Sequence, residues 1–145
     1  MSTFVIDYYL LALTSSFGVI QISASLGGLK GLLLFRSPYL SRGFGLAVAL
    51  AAFVWFFVSE SRNINDNEGG LDANVQALTF FLGALSALVI TLVVTSLTNA
   101  HMTGDPSPEE GLEALKRTNY ARGFRHSIRY WWRGWRTTYL AGFLD

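Results

Sequence analysis

Apolar residues in this chain do not alternate with polar ones; they run in three long blocks. The first extends from about Tyr8 to Leu34 and the third from about Val75 to Ala100. The second is strictly apolar from about Phe44 to Val58 and extends to Leu40 and Ser59 at its ends. A helix rising 1.5 Å per residue needs about 20 apolar residues to cross a hydrocarbon layer ~30 Å thick. Backbone groups in lipid must pair within their own segment, and none of these blocks has the period-two pattern of a barrel strand, so helices are the viable form. The pattern predicts three transmembrane helices over 8–34, 40–59 and 75–100.

The breaks between blocks carry turn chemistry. Arg36-Ser37-Pro38-Tyr39 marks a tight first connection, because Pro38 cannot continue a helix and biases Ser37 toward an extended conformation. Arg62 to Gly70 is a polar turn cluster, and Thr103-Gly104-Asp105-Pro106 reads as a helix stop. Ser107-Pro108-Glu109-Glu110 then has the form of a capping box, with Ser at the N-cap, Pro at N1 and Glu at N3, and predicts the start of a fourth helix. The organisation expected is a three-helix transmembrane domain over 1–102 and a basic, aromatic tail over 103–145.

Composition agrees with the pattern. Hydrophobic residues make up 51% of the 145, and charged residues only 14%, against about 25% charged in typical soluble domains. There is no cysteine, which removes disulfides, thiolate metal sites and cysteine nucleophiles together. The N-terminus, Met1 to Asp7, lacks the basic region of a secretory signal, so the first apolar block reads as a retained helix.

Charge placement predicts orientation. Lys30, Arg36 and Arg42 lie in and around the first connection, and Lys116, Arg117, Arg122, Arg125, Arg129, Arg133 and Arg136 in the tail. Arg62 alone lies in the second connection, among Glu60, Asp66, Glu68 and Asp72. By the positive-inside rule the first connection and the tail are cytoplasmic, and the N-terminus is outside.

The tail holds the densest chemistry. At 100° per residue, Tyr120, Phe124, Ile128, Trp131, Trp132, Trp135 and Tyr139 fall within an arc of roughly 120°, and Arg122, Arg125, Arg129, Arg133 and Arg136 within an adjacent arc of roughly 80°. Such a helix suits the headgroup plane, with rings at the acyl boundary and guanidinium groups among phosphates. The same residue types are enriched at protein-interface hot spots, so a docking partner competes with anionic lipid as the target. Nucleic acid is not expected.

Within the first block, Ser23, Gly27 and Gly31 form small-xxx-small steps that suit close helix approach. Gln21 lies well inside the block and needs a partner, since an unpaired amide in hydrocarbon costs several kcal/mol. In the second block, Phe53, Trp55, Phe56 and Phe57 suggest an aromatic girdle at the outer end. The third carries hydroxyls, Thr79, Ser86, Thr91 and Thr95 among them, which are expected to bond back to carbonyls one turn earlier. No Asp, Glu, Lys, Arg or His lies near the middle of any block, which argues against an ion pump or a charged-substrate transporter.

His101 is a weak candidate for ligating a haem or chlorophyll metal. The second connection is rich in oxygens, but counting from Asn63 puts Glu68 and Asn74 where an EF-hand needs Gly and Glu, so no metal site is expected. No motif for covalent catalysis or phosphate binding is present.

The sequence therefore predicts an all-α integral membrane protein, with three transmembrane helices and a C-terminal amphipathic interfacial helix. The expected role is a non-catalytic accessory or scaffold subunit of a larger membrane complex, with bound lipid. One alternative is a lipid-binding or membrane-organising homo-oligomer; another is a pigment- or quinone-binding subunit.

Overall fold

The computed structural model describes residues 2–59, 73–104 and 111–141, with side chains from Phe4 to Arg133. The polar second connection and the Ser107 to Glu110 capping box lie outside the described residues. The described chain is helical: α1 Ser2–Leu26, α2 Pro38–Val58, α3 Ala73–Thr98 and α4 Tyr120–Ala141, with short 3-10 turns at Lys30–Leu32 and Gly111–Lys116. Helices α1, α2 and α3 are each long and apolar enough to cross a membrane.

Helix α1 differs most from its expected limits. It begins six residues before Tyr8 and stops eight residues before Leu34. The stop is local in origin. Gly28 has φ +68°, a left-handed conformation that costs little without a Cβ, and Gly27 N–H and Leu29 N–H bond back to the carbonyls of Ser23 and Ala24. This is the common glycine-terminated helix end. The leucines that follow continue the apolar run but belong to a folded, non-helical segment. Helix α2 starts where Pro38 indicates, with Ser37 extended before it.

α1 is the central helix, packed on both α2 and α3, which barely touch one another. The close approach to α2 is made by Gly18 and Gly45. A Cβ at Gly18 would overlap the Gly45 carbonyl oxygen, and one at Gly45 would sit 2.5 Å from the Gly18 carbonyl oxygen. Toward α3, a Cβ at Gly83 would lie 2.8 Å from Ala12 Cβ and 3.0 Å from the Tyr9 carbonyl oxygen. The buried stripe of α2 is Ser41, Gly45, Ala49, Ala52 and Phe56, and that of α3 is Thr79, Gly83, Ala87, Thr91 and Thr95. Both repeat about every four residues, the spacing of one helix face.

The close contacts therefore do not run along Ser23, Gly27 and Gly31. Ser23 and Gly27 are exposed, and Gly31 lies past the end of α1 in the 3-10 turn. Phe56 also leaves the expected girdle: it is buried in a cluster with Leu11 and Ala52, against Phe4 and Tyr8, while Phe53, Trp55 and Phe57 face outward.

Candidate functional site at the charged end of the bundle

The end of the bundle where α1 finishes and α2 begins carries Lys30, Arg36 and Arg42, and three chain segments interlock there. Gln21 joins the first of them to α1. Its side chain is fully buried; Nε2 donates to the Leu32 carbonyl at 3.3 Å, and Oε1 accepts from Leu34 N–H at 2.9 Å. Ser25 Oγ donates to the Pro38 carbonyl at 2.8 Å, and Ser41 Oγ bonds the backbone of Phe35. A non-helical backbone placed against apolar helices needs such partners, because each buried unpaired donor or acceptor costs about 1–3 kcal/mol.

Asn99, just past the end of α3, extends the network. Its Nδ2 donates to the Leu33 carbonyl at 2.8 Å and reaches the Gly31 carbonyl at 3.5 Å. Its own carbonyl accepts from Asn119 Nδ2 at 3.3 Å. Asn119 in turn caps α4, with Oδ1 accepting from Arg122 N–H at 2.9 Å. This is an N-cap bond of the ordinary kind, so one side chain both ties α4 to α3 and starts it. Thr103 and Thr118 form an isolated antiparallel bridge beside it.

Gly31 is the point of closest approach. A Cβ there would overlap the Thr118 carbonyl oxygen and lie 3.0 Å from that of Leu115. Leu33, Ala114, Leu115 and Thr118 are buried around the contact. The glycine is thus required by the joining of the 3-10 turn to the segment before α4.

From this anchor α4 runs alongside the last turns of α3. Between them is an open groove of about 710 Å3. Leu92, Val93, Ser96 and Leu97 form the α3 wall, and Tyr120, Ala121, Phe124 and Ile128 the α4 wall, with Arg125 and Arg129 also lining it. The Tyr120 and Phe124 rings stack at 5.6 Å. Beyond the groove Trp131 and Trp132 are about 60% exposed, and Arg122 and Arg133 are exposed as well. Trp135 and Arg136 fall within α4, their side chains outside the described set. His101 is exposed at the end of α3. Glu113 and Lys116 pair with each other.

Two sets emerge. Gln21 and Gly31 belong to the buried junction, where sequence reasoning had not placed Ser25, Ser41, Asn99, Thr118 or Asn119. Arg122, Arg125, Arg129, Trp131, Trp132 and Arg133 of α4 form a separate, exposed surface. The polar residues were visible in the sequence, but nothing local marked Asn99 and Asn119, 20 residues apart, as partners.

Among the described residues the chain is thus all-helical, with three helices of membrane-spanning length and apolarity, joined at one end by a polar network. Comparison with protein-family models, with curated proteins and with solved structures finds no match.

Proposed function

We propose that this chain is a multi-pass membrane protein whose role is non-catalytic: an accessory or scaffold subunit of a larger membrane complex. The observation that carries the reading is the division between outward and inward surfaces. Within an apolar 18-residue stretch of each candidate span, only 33%, 22% and 22% is buried within the protein. The remainder presents residues such as Leu50, Phe57, Phe81, Leu85 and Val89 outward. An apolar surface of this extent suits lipid or other membrane subunits, not water.

Inside, most of the described polar side chains are committed to the fold, although the buried Ser96 Oγ and Thr118 Oγ1 have no hydrogen-bond partner. Thr79, Thr91 and Thr95 bond back to carbonyls one turn earlier at 2.6–2.7 Å, Tyr9 donates to Ser86, and Gln21 and Asn99 hold backbone. Side chains so engaged support the fold and do not form a polar route across it. The positive-inside rule orients the junction and α4 toward the cytoplasm, with the N-terminus outside. α4 then lies at the cytoplasmic surface, its rings and arginines available to headgroups or to a neighbouring subunit.

The test is extraction from native membranes in mild detergent, native-gel separation and mass spectrometry of co-migrating proteins. The subunit reading expects a fixed set of larger partners. Migration alone or as a small homo-oligomer overturns it and favours a membrane-organising protein that works through α4, a reading supported by the exposed arginines. A stoichiometric absorbance above 380 nm in the purified protein would instead favour a pigment-binding subunit.

A further inference from the structure

The outward surface of the described residues includes the groove between α3 and α4. Here two helices diverge from a fixed point, the Asn99–Asn119 junction, and leave a concavity with two apolar walls. Its volume of about 710 Å3 falls within the roughly 300–1,000 Å3 common for small-molecule sites.

Three features define what fits it. First, the α3 wall is aliphatic apart from Ser96, and the α4 wall includes the stacked Tyr120 and Phe124 rings, so the occupant carries a hydrocarbon chain. Second, Arg125 and Arg129 are four residues apart, hence on one side of α4, and neither pairs with an acid among the described residues. Two adjacent guanidinium groups suit a phosphate, which each can meet with paired N–H donors. Third, the α3 wall covers Leu92 to Leu97, about 8 Å of helix at 1.5 Å per residue, next to the helix end at Thr98. If α3 spans a bilayer, that is the level at which acyl chains give way to headgroups.

We infer that this groove is a binding site for one anionic phospholipid. An acyl chain lies between the α3 and α4 walls, and the phosphate sits between Arg125 and Arg129. The inference rests on the membrane-embedded reading and adds to it a defined lipid, at a defined place, with a selectivity.

The full chain, purified in mild detergent, is titrated with phosphatidylglycerol or phosphatidylcholine, and lipid retention is read by native mass spectrometry. The site predicts one tightly retained phosphatidylglycerol per chain and weak retention of phosphatidylcholine. Arg125→Gln with Arg129→Gln lowers phosphatidylglycerol affinity by about tenfold or more, as expected for losing two basic contacts with an anionic lipid. Arg36→Gln, an exposed cation at the same end of the bundle but outside α4 and the groove, leaves it unchanged. Ala121→Trp, which places a ring in the groove, lowers retention with every arginine intact. Equal retention of the two lipids overturns the site. So does an Arg36→Gln loss matching that of the double variant, since that result indicates diffuse surface charge. Extraction of native membranes with alkaline carbonate separates the two levels: release of the chain refutes membrane embedding itself, whereas a retained chain without lipid selectivity refutes only the groove.

Discussion

Gly31 and Gly27 both belong to the four-residue spacing that suggests a helix-packing face, yet the structure gives them opposite sensitivities. A Cβ at Gly27 would sit 3.4 Å from the Ser23 carbonyl oxygen and 3.5 Å from Leu29 Cγ, which is ordinary contact. Gly27→Ala therefore shifts stability by less than about 1 kcal/mol, and the reduced freedom of the unfolded chain favours the variant. A Cβ at Gly31 meets the carbonyl of Thr118, which cannot rotate aside as a side chain could. The 30–32 turn must withdraw by roughly 1 Å to reach normal van der Waals separation. Overpacking of this kind costs about 1–3 kcal/mol. The withdrawal also stretches the bond from Asn99 Nδ2 to the neighbouring Leu33 carbonyl, 2.8 Å in the native protein, and adds about 1 kcal/mol. The sum is about 2–4 kcal/mol. At about 2–4 °C per kcal/mol for a domain of this size, Gly31→Ala lowers Tm by roughly 4–16 °C. Tryptophan fluorescence during thermal unfolding of the full chain in mild detergent reads the difference, using the four native tryptophans. Equal, small shifts for the two variants would refute the close contact between the turn and Thr118. A larger loss for Gly27→Ala would restore the idea that this glycine face packs on another helix.

A second glycine pair tests the α1–α2 crossing: Gly45→Ala, whose Cβ would lie 2.5 Å from the Gly18 carbonyl oxygen, loses about 1–3 kcal/mol. Gly43→Ala, with nothing within 4 Å, is neutral or stabilising in the same thermal assay, and equal losses would count against the crossing. Asn119→Ala removes both the α4 cap and the bond to Asn99, about 1 kcal/mol each. Trypsin then cleaves near Arg117 and Arg122 about tenfold faster or more if local opening limits cleavage, and an unchanged rate would mean that Asn119 does not hold the start of α4. Because the chain has no cysteine, Ser59→Cys and Glu113→Cys each report one end of the bundle to a membrane-impermeant maleimide. Labelling of Ser59→Cys in intact cells, with Glu113→Cys reacting only after permeabilisation, fits the proposed orientation; the reverse pattern inverts it.

Much of the helical frame is legible in the linear pattern. The apolar runs mark α2 and α3 to within a few residues, Pro38 marks the start of α2, and the back-bonding of the α3 threonines follows from hydroxyls in an apolar helix. The end of α1 is less legible because one observable, apolarity, serves two purposes. Leu29, Leu32, Leu33 and Leu34 read as a continuation of the span, but they belong to a folded turn, where Leu33 is almost wholly buried. The counter-signal was the Gly27-Gly28 pair, which a packing reading and a helix-end reading explain equally well until φ at Gly28 is known. The choice of packing face was underdetermined for a similar reason. Small residues recur every four positions at Ser23, Gly27 and Gly31, at Ser41, Gly45 and Ala49, and at Thr79, Gly83 and Ala87. Only the three-dimensional crossing selects the last two.

The same crossing explains why the buried polar residues gather at one end. α2 and α3 contact α1 but hardly one another, so along most of its length the bundle is held by apolar and small-residue contact with α1. Such contacts resist separation of the helices but fix axial register weakly, because apolar contact is non-directional. Hydrogen bonds at Gln21, Ser25, Ser41, Asn99 and Asn119 supply direction where three chain segments must meet. Loss of Gln21 or Asn99 removes the partners of backbone groups at Leu32, Leu33 and Leu34, so these bonds support one another. Its last member caps α4, so the rigidity of the junction reaches the first turn of that helix and sets one wall of the groove. It follows that Asn99→Leu, although remote from Arg125 and Arg129, weakens phospholipid retention together with thermal stability. Ala121→Trp weakens retention while leaving stability nearly unchanged, since Ala121 is exposed. A single assay pair, Tm and lipid retention on these two variants, separates support of the groove from occupation of it. Retention unchanged in Asn99→Leu would mean that the groove does not depend on the junction.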